Sequence, residues 1–373
     1  MQTNAVRVKT GEFLCIERHD PEHFGLTADN ARLRDFIIQP DHPWFSHPER
    51  EWVRQILRGD HVPTSFDAFF VGRPAAGDIV ASAWYATHVD SPQVGIVGYV
   101  VTLASHEGKG INSALIETAV EHFESRGGRM LYLGTNDPAA AHVYWKVGFR
   151  KYNGHVMRMN TSGEDAATVD AEYFAPAGAP IVREATRGDY ARLTALYVSR
   201  DTWFTRDFRE RLFNDPAHEQ ERCNSCWTAI ALRSDWPGSA QMVMESGSGA
   251  IVGAAVVTNQ RAPALSHVSE LEFLVHPAHL EYAKELLEAL LQRIRRDDTT
   301  LVLCYTASCD EKKIELLCEM GFLEAGRVKG YFTINDSAHD LLILATDVSD
   351  LSGQSEDARN HLFGFAGRLY SWR

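Results

Sequence analysis

A strand-like run from Gly98 to Leu103 leads into a tight turn containing Gly108-Lys109-Gly110, which opens directly into an amphipathic stretch, Asn112–Ser125. Glycines let backbone approach a ligand closely, and the start of a helix offers unpaired N–H groups at the positive end of its dipole. Together they make a candidate cradle for a diphosphate. A glycine turn between strand and helix also has a purely steric explanation, so the turn alone does not decide. A second segment adds weight: Asn136-Asp-Pro-Ala-Ala-Ala-His-Val-Tyr144-Trp-Lys-Val-Gly148-Phe149 sets a polar pair at a helix start, a tyrosine on the helix and a Gly-Phe stop after it.

Taken together the two segments resemble the GNAT superfamily of N-acetyltransferases. That family carries a Q/R-x-x-G-x-G/A loop after its fourth strand and an N-x-x-A-x-x-x-Y-x-x-x-G-F pattern downstream. The motif-level likeness lies within residues 95–159, with one strand between the two helices. Glu107 stands where the family has Gln or Arg, and Asn112 where it has Gly or Ala. Lys109 is therefore expected to balance the acid beside the loop. The family asparagine aligns with Asp137, with Asn136 one position earlier.

The resemblance implies acetyl-CoA as cosubstrate and no metal. It implies that Gly108, Lys109, Gly110, Ile111, Asn112 and Ser113 hold the diphosphate, and that Asn136 and Asp137 sit at the cofactor site. Val101 and Leu103 would pair with the pantetheine arm, and Tyr144 would be the general acid. A departing thiolate needs a proton donor near its sulfur, and a phenol on a helix turn is a suitable one. Tyr144 also has a plain reading as a core aromatic on a short helix. A base must deprotonate the incoming amine; His88, Asp90, Tyr99 and His106 lie in the regions that supply it in the family, and none is singled out. His42, Trp44 and His47 fall in the segment that shapes the acceptor pocket, where a Pro-rich loop also suits packing alone. No Cys-His pair suggests an acyl-enzyme, so direct transfer to the amine of a small molecule is expected. The alternative is a non-catalytic module that binds CoA or a metabolite and serves regulation.

The elements needed to position these groups occur twice. Before a seam at 161–180, rich in small, acidic, Pro and Gly residues, strands are expected at Phe13–Arg18, Ala68–Val71, Ile79–His88, Gly95–Leu103 and Met130–Gly134, with further strands from Phe149 to Met159. Helices are expected ending near Arg58, at Asn112–Ser125 and at Ala139–Val147. After the seam come Ile181–Glu184, a helix Asp189–Val198, strands at Trp227–Leu232, Gln241–Glu245, Ile251–Thr258 and Leu271–Val275, then a helix Glu281–Ile294. A strand Leu301–Tyr305, a helix Glu311–Met320 and strands from Phe322 to Thr346 complete the pattern. Helices interleaved with strands argue for an α/β (α+β) chain. By resemblance it has two GNAT-like domains, each a mixed, mostly antiparallel sheet with a splayed fourth strand flanked by helices. The expected boundaries are 1–160 for the acetyl-CoA-binding domain, 161–180 for a linker without helix or strand period, 181–346 for a degenerate second domain and 347–373 for a tail that packs back. The second copy has lost both motifs. His276-Pro277 is followed by no glycine, Glu281 and Glu285 lie near the phosphate position, and Leu317 stands where the tyrosine should be before Gly321-Phe322.

Composition limits the rest. In 373 residues, 45% apolar and 23% charged residues are ordinary for globular domains. The 37 basic and 50 acidic side chains leave a net charge of −13, which repels phosphate backbones and anionic lipid, so neither nucleic acid nor a membrane surface is an expected partner. No apolar run approaches the ~20 residues of a membrane span. Six scattered cysteines suit a reducing cytoplasm, and the Cys223/Cys226 pair lacks a second pair at zinc spacing. Oligomeric state is left open.

Overall fold

Alternating apolar residues in the first half form one sheet of eight strands, in a computed structural model that describes residues 3–38, 47–74, 77–199, 239–259, 262–294, 299–334 and 336–348. The strands are β1 (Thr3–Arg7), β2 (Phe13–His19), β3 (Ser65–Pro74), β4 (Ala81–His88), β5 (Val94–Thr102), β6 (Met130–Gly134), β7 (Arg150–Asn153) and β8 (Val156–Asn160). Their spatial order is β1-β2-β3-β4-β5-β6-β8-β7, antiparallel throughout except for the β5–β6 pair. That pair runs only from Val94↔Met130 to Ile96↔Tyr132, although β5 continues to Thr102, so the two strands part beyond Ile96.

A bulge lies where they part. Ser82 pairs with Val101 and Trp84 with Gly98, leaving Tyr99 and Val100 opposite Ala83 alone. Tyr99 adopts a left-handed φ of 48°, and the Ser82 hydroxyl donates to its carbonyl at 3.0 Å. An inserted residue bends its strand and increases the twist, which turns the end of β5 away from β6.

Helices α1 (Ala28–Ile37) and α2 (His47–Arg58) precede β3, α3 (Ile111–Ser125) follows β5, and α4 (Pro138–Val147) follows β6. The face of α3 carrying Ile111, Leu115, Ile116, Ala119, Val120 and Phe123 is buried on the sheet. Asp137 caps α4 by accepting from the Ala139 amide at 2.8 Å, Pro138 opens the first turn, and Gly148 closes the helix in the left-handed conformation.

The segment 161–180 differs from the expectation of an unstructured connection. It contains a helix, α5 (Ala166–Tyr173), capped by Asp165. Buried Arg158 of β8 pairs with Asp170 and donates to Ala166 O at 2.9 Å and to the Tyr132 hydroxyl at 3.1 Å, while the Tyr152 hydroxyl donates to Asp170 at 2.7 Å. Only Val169 and Tyr173 of α5 are buried, too few to leave a helical period in the sequence.

The second sheet comprises β9 (Ile181–Glu184), β10 (Ala240–Glu245), β11 (Ile251–Asn259), β12 (Val268–Val275), β13 (Leu301–Ala307), β14 (Leu323–Ile334) and β15 (Ser337–Asp347). Its order, β9-β10-β11-β12-β13-β15-β14, repeats that of β2 to β8, with no counterpart of β1 among the described residues. Helices α6 (Tyr190–Val198), α7 (Ala283–Ile294) and α8 (Glu311–Glu319) complete it; α7 begins after a tight turn at Pro277–Tyr282. All nine residues of α6 are buried, because it packs on β4 and β5 of the first sheet as well as on β11. Gly188, just before it, lies so close to the first half that a Cβ would meet Thr64 O at 1.9 Å. One core is continuous from Trp84 and Tyr99 through Leu193 to Val256. The expected strand at Trp227–Leu232, the Cys223/Cys226 pair and the tail beyond residue 348 lie outside the described residues.

Candidate active site

The glycine turn sits at the open end of the parted strands. Gly108 and Gly110 have φ of 74° and 82°, a region that favours glycine, and Gly110 is the residue from which α3 starts. Ile111 is buried beneath the turn, whereas Asn112 and Ser113 are half-buried on the first turn of α3. The Asn112 side chain is engaged by the Thr102 hydroxyl, tying the helix start to the end of β5. Lys109 does not offset Glu107 as the sequence suggested. Its ammonium lies 3.6 Å from Glu12, in the turn between β1 and β2, and Glu107 is exposed. That turn reaches the loop because the Lys9 amide donates to Lys109 O at 3.1 Å, a contact between segments a hundred residues apart that local sequence does not reveal.

The backbone of β5 corrects a second expectation by one residue. Leu103 donates its amide to Val80 O at 2.9 Å, and Val101 pairs with Ser82. Their main-chain groups therefore face β4. Alternation turns those of Thr102 toward the side where β6 has departed. Thr102, not Val101 or Leu103, presents backbone to the cleft; the missing signal was the register, which the bulge resets.

Tyr144 is the buried residue of α4, packed in one cluster with Val97 of β5, Leu131 and Leu133 of β6 and Ile111 and Ala114 of α3, its ring 6.1 Å from that of Phe149. Asp137 spends its carboxylate on the helix cap, and Asn136 is exposed beside it. Of the suggested bases, His88 and Asp90 lie at the far end of β4 from the loop. The Asp90 amide donates to His88 Nδ1 at 3.1 Å, and burial, followed by the Arg192 charge, lowers the His88 pKa. His106 contacts Ser105 in the exposed loop. Tyr99 stands at the bulge, its ring 5.1 Å from Trp84 and 6.3 Å from Phe69. Behind Trp84 lies Asp67, which sequence reasoning missed. It is buried, accepts from Trp84 Nε1 at 2.9 Å and Ser65 Oγ at 2.8 Å, and its pKa is pushed up to about 6 by burial. The acceptor-side residues His42 and Trp44 lie outside the described residues, as does the side chain of His47.

Residues 30–149 match the acetyltransferase (GNAT) family. The first unit belongs to that family. The mycothiol acetyltransferase of Paenarthrobacter aurescens (strain TC1) is 27% identical over 146 residues, covering 35% of this chain and 45% of that protein. The chain thus spans less than half the length of that curated relative. Among solved structures, a GNAT superfamily phosphinothricin acetyltransferase from Sinorhizobium meliloti in complex with AcCoA is 20% identical, covering 48% of this chain and 93% of that one with a TM-score of 0.38. A ribosomal-protein-alanine N-acetyltransferase from Brucella melitensis is 22% identical, covering 45% and 99%, with a TM-score of 0.37.

Against this GNAT unit the second, GNAT-like unit can be compared position by position. Its strands β12 and β13 also run parallel and then part, beyond Leu271↔Cys304. Counting from the first paired residue of each strand, Glu272 occupies the place of Gly98. Counting back from the glycine after each helix, Lys313 occupies the place of Ala140. Glu272 and Lys313 are both buried and form an ion pair, with the Lys313 ammonium 5.0 Å from the Phe273 ring centroid. Burial works against the Lys313 charge, but the Glu272 carboxylate beside it more than offsets this and raises its pKa. Where the first unit has the small residues Gly98 and Ala140, the second thus carries two buried, charged side chains. No bulge interrupts the β11–β12 register. The turn Pro277–Tyr282 has no glycine; His276 accepts from the Ala278 amide at 3.3 Å, and buried His279 bonds Phe174 O at 2.9 Å.

Proposed function

We propose that the protein is an acetyl-CoA-dependent N-acetyltransferase, cytoplasmic, that transfers an acetyl group directly to a primary amine of a small molecule, with the chemistry in residues 1–160. The observation that carries the reading is the contrast just described: the first unit keeps a glycine loop and small residues where β5 and β6 part, and the second fills the same place with Glu272 and Lys313.

The residues of the first unit fit the cosubstrate. Gly108 and Gly110 hold backbone conformations that a side chain would strain, and nothing but glycine suits a close approach of phosphate there. Ile111, Asn112 and Ser113 add amides from the first turn of α3, and the Thr102 main chain supplies donor and acceptor to an extended amide arm. Acetyl-CoA, when bound, supplies an activated acyl group on a thiol leaving group. The protein's part is to align it and to hold protons at the right atoms. Tyr144 Oη is the proton donor in this reading. Asp67, held close to neutral pH in its titration and linked through Trp84 to the Tyr99 bulge, is a reserve for the proton leaving the ammonium of the acceptor.

The pairing of Lys109 with Glu12 and of Asn112 with Thr102 favours a second reading, a module that binds CoA without turnover. One experiment separates the two. Calorimetry with acetyl-CoA is expected to show one site per chain, and an amine panel is then run with wild type and Tyr144→Phe. Loss of turnover by about 10²-fold or more in Tyr144→Phe, with acetyl-CoA affinity kept, supports the enzyme. Binding without transfer to any amine supports the module, and two sites per chain would overturn the assignment of the chemistry to the first unit.

A further inference from the structure

Seven strands of the first sheet recur in the second; β1 has no counterpart among the described residues. What β1 adds is a turn, Val8 to Glu12, closed by Val8 N–H donating to Glu12 O at 3.0 Å and Gly11 N–H to Val8 O at 2.8 Å. Val8 is anchored in the core beside Ile111, and the Lys9 amide is bonded to the loop carbonyl of Lys109. The stem of Lys9 is laid across Gly110: a Cβ on that glycine would sit 3.0, 3.2 and 3.5 Å from Lys9 Cγ, Cδ and Cε. The extra strand and the glycine loop therefore occur together in one unit, in direct contact, and neither is found in the other among the described residues.

Charge sharpens the point. The loop carries Glu107 where its family has a cation or an amide, and the loop's own Lys109 is drawn to Glu12. Lys9 has no carboxylate partner among the described residues. Its last stem carbon lies against Gly110, the residue that caps the start of α3, so its ammonium is the cation left over beside the amides that begin that helix.

We infer that Lys9, delivered by the β1–β2 turn, is a specificity-determining residue of the cofactor site that binds the diphosphate of the CoA portion in place of a basic loop residue. The inference rests on the acetyl-CoA reading above. It also gives Gly110 a second requirement: besides its left-handed φ, it must leave room for the lysine stem.

The test is calorimetric titration of wild type, Lys9→Met and Lys9→Arg with CoA, 3′-dephospho-CoA and S-acetyl-pantetheine, which lacks the diphosphate. Methionine keeps an apolar stem on Gly110, and melting temperatures show that the fold is kept. Lys9→Met is expected to weaken CoA and dephospho-CoA by about fivefold, to leave S-acetyl-pantetheine unchanged, and to lose the difference as salt rises; Lys9→Arg retains affinity. A CoA affinity within twofold of wild type in Lys9→Met overturns the inference while leaving the acetyltransferase reading intact. An equal loss for S-acetyl-pantetheine overturns it in favour of a structural role for the turn. A loss seen with CoA but not with dephospho-CoA reassigns Lys9 to the 3′-phosphate and overturns the diphosphate assignment. If wild type binds none of the three ligands, the acetyltransferase reading itself fails, and this inference with it.

Discussion

Lys313→Met tests the buried ion pair of the second unit most directly. The substitution keeps length and apolar bulk but removes the cation that faces Glu272. Lys313 is fully buried and Glu272 nearly so, and the carboxylate also accepts from the Phe273 amide at 3.1 Å. An unpaired carboxylate in such a place either stays charged at a cost of several kcal/mol or takes up a proton. Protonation sets the ceiling: neutralising a glutamate with an ordinary pKa near 4.3 costs about 4 kcal/mol at pH 7. The expected destabilisation is therefore about 3–4 kcal/mol at pH 7. It has a particular pH signature. In the variant, the folded-state pKa of Glu272 lies above its unfolded value, so stability relative to wild type is best at low pH and falls by about 1.4 kcal/mol per unit as pH rises above ~4.3. The double variant Glu272→Leu/Lys313→Met removes both charges and is expected to return to within about 1 kcal/mol of wild type or to exceed it. Urea denaturation at pH 5 and pH 7 measures all three proteins. A single variant as stable as wild type at pH 7, or a double variant no better than the single, would refute the argument that a buried ion pair occupies this place.

Three further outcomes are expected. Gly110→Glu places a side chain and a negative charge where φ is 82° and Lys9 already packs, so acetyl-CoA affinity is expected to fall by more than about tenfold, read by calorimetry; retained affinity would count against the loop as the cofactor site. Asp170→Ala strips buried Arg158 of its counter-ion and is expected to lower stability by about 3 kcal/mol in urea denaturation, with α5 the first element to lose amide-exchange protection. His61 is buried beside Trp52, ring centroids 4.8 Å apart, and burial followed by the Arg187 charge lowers its pKa from 6.5 to about 4. Its neutral form thus contributes stability that is complete above pH 6.5 and is lost as pH falls toward 4, by about 1.4 kcal/mol per unit. His61→Gln is expected to flatten that part of the pH profile, followed by Trp52 fluorescence during melting, and an unchanged profile would contradict it.

Much of this architecture was legible because its signals are local. The face of α3 repeats apolar residues at helical spacing, the caps Asp137 and Gly148 bracket α4, and strands such as Ile251–Asn259 are nearly continuous apolar runs. The family likeness followed from the spacing of Gly110, Tyr144 and Gly148-Phe149. What was not legible depends on contacts across the chain. The cleft-facing residue of β5 is Thr102 because a bulge at Tyr99 shifts the register, and no residue type announces a bulge held by a serine on the neighbouring strand. Lys109 lies against Glu12 because a hairpin near residue 9 lies on the loop. Helix α5 was missed because two buried residues do not make a period.

The two units share one fold and differ at a few positions around the strands that part. Strand order, the parallel pair that parts and the helix that follows it are common to both. The differences gather where the paired strands part: Gly98 against Glu272, Ala140 against Lys313, a bulged strand against a regular one, a glycine turn against the turn Pro277–Tyr282 bonded to the connecting segment through His279. A charge placed alone in either position would be costly, so Glu272 and Lys313 make sense only as a pair. The second unit contributes something the first unit lacks. Helix α6, buried along its whole length, lies across β4 and β5 and covers the aromatic face formed by Trp84 and Tyr99. That face borders the bulge, so the position of the bulge is set from both sides: by Ser82 within the sheet and by the second unit above it. The second unit is in this sense part of the first one's architecture, through the packing of α6 on β4 and β5.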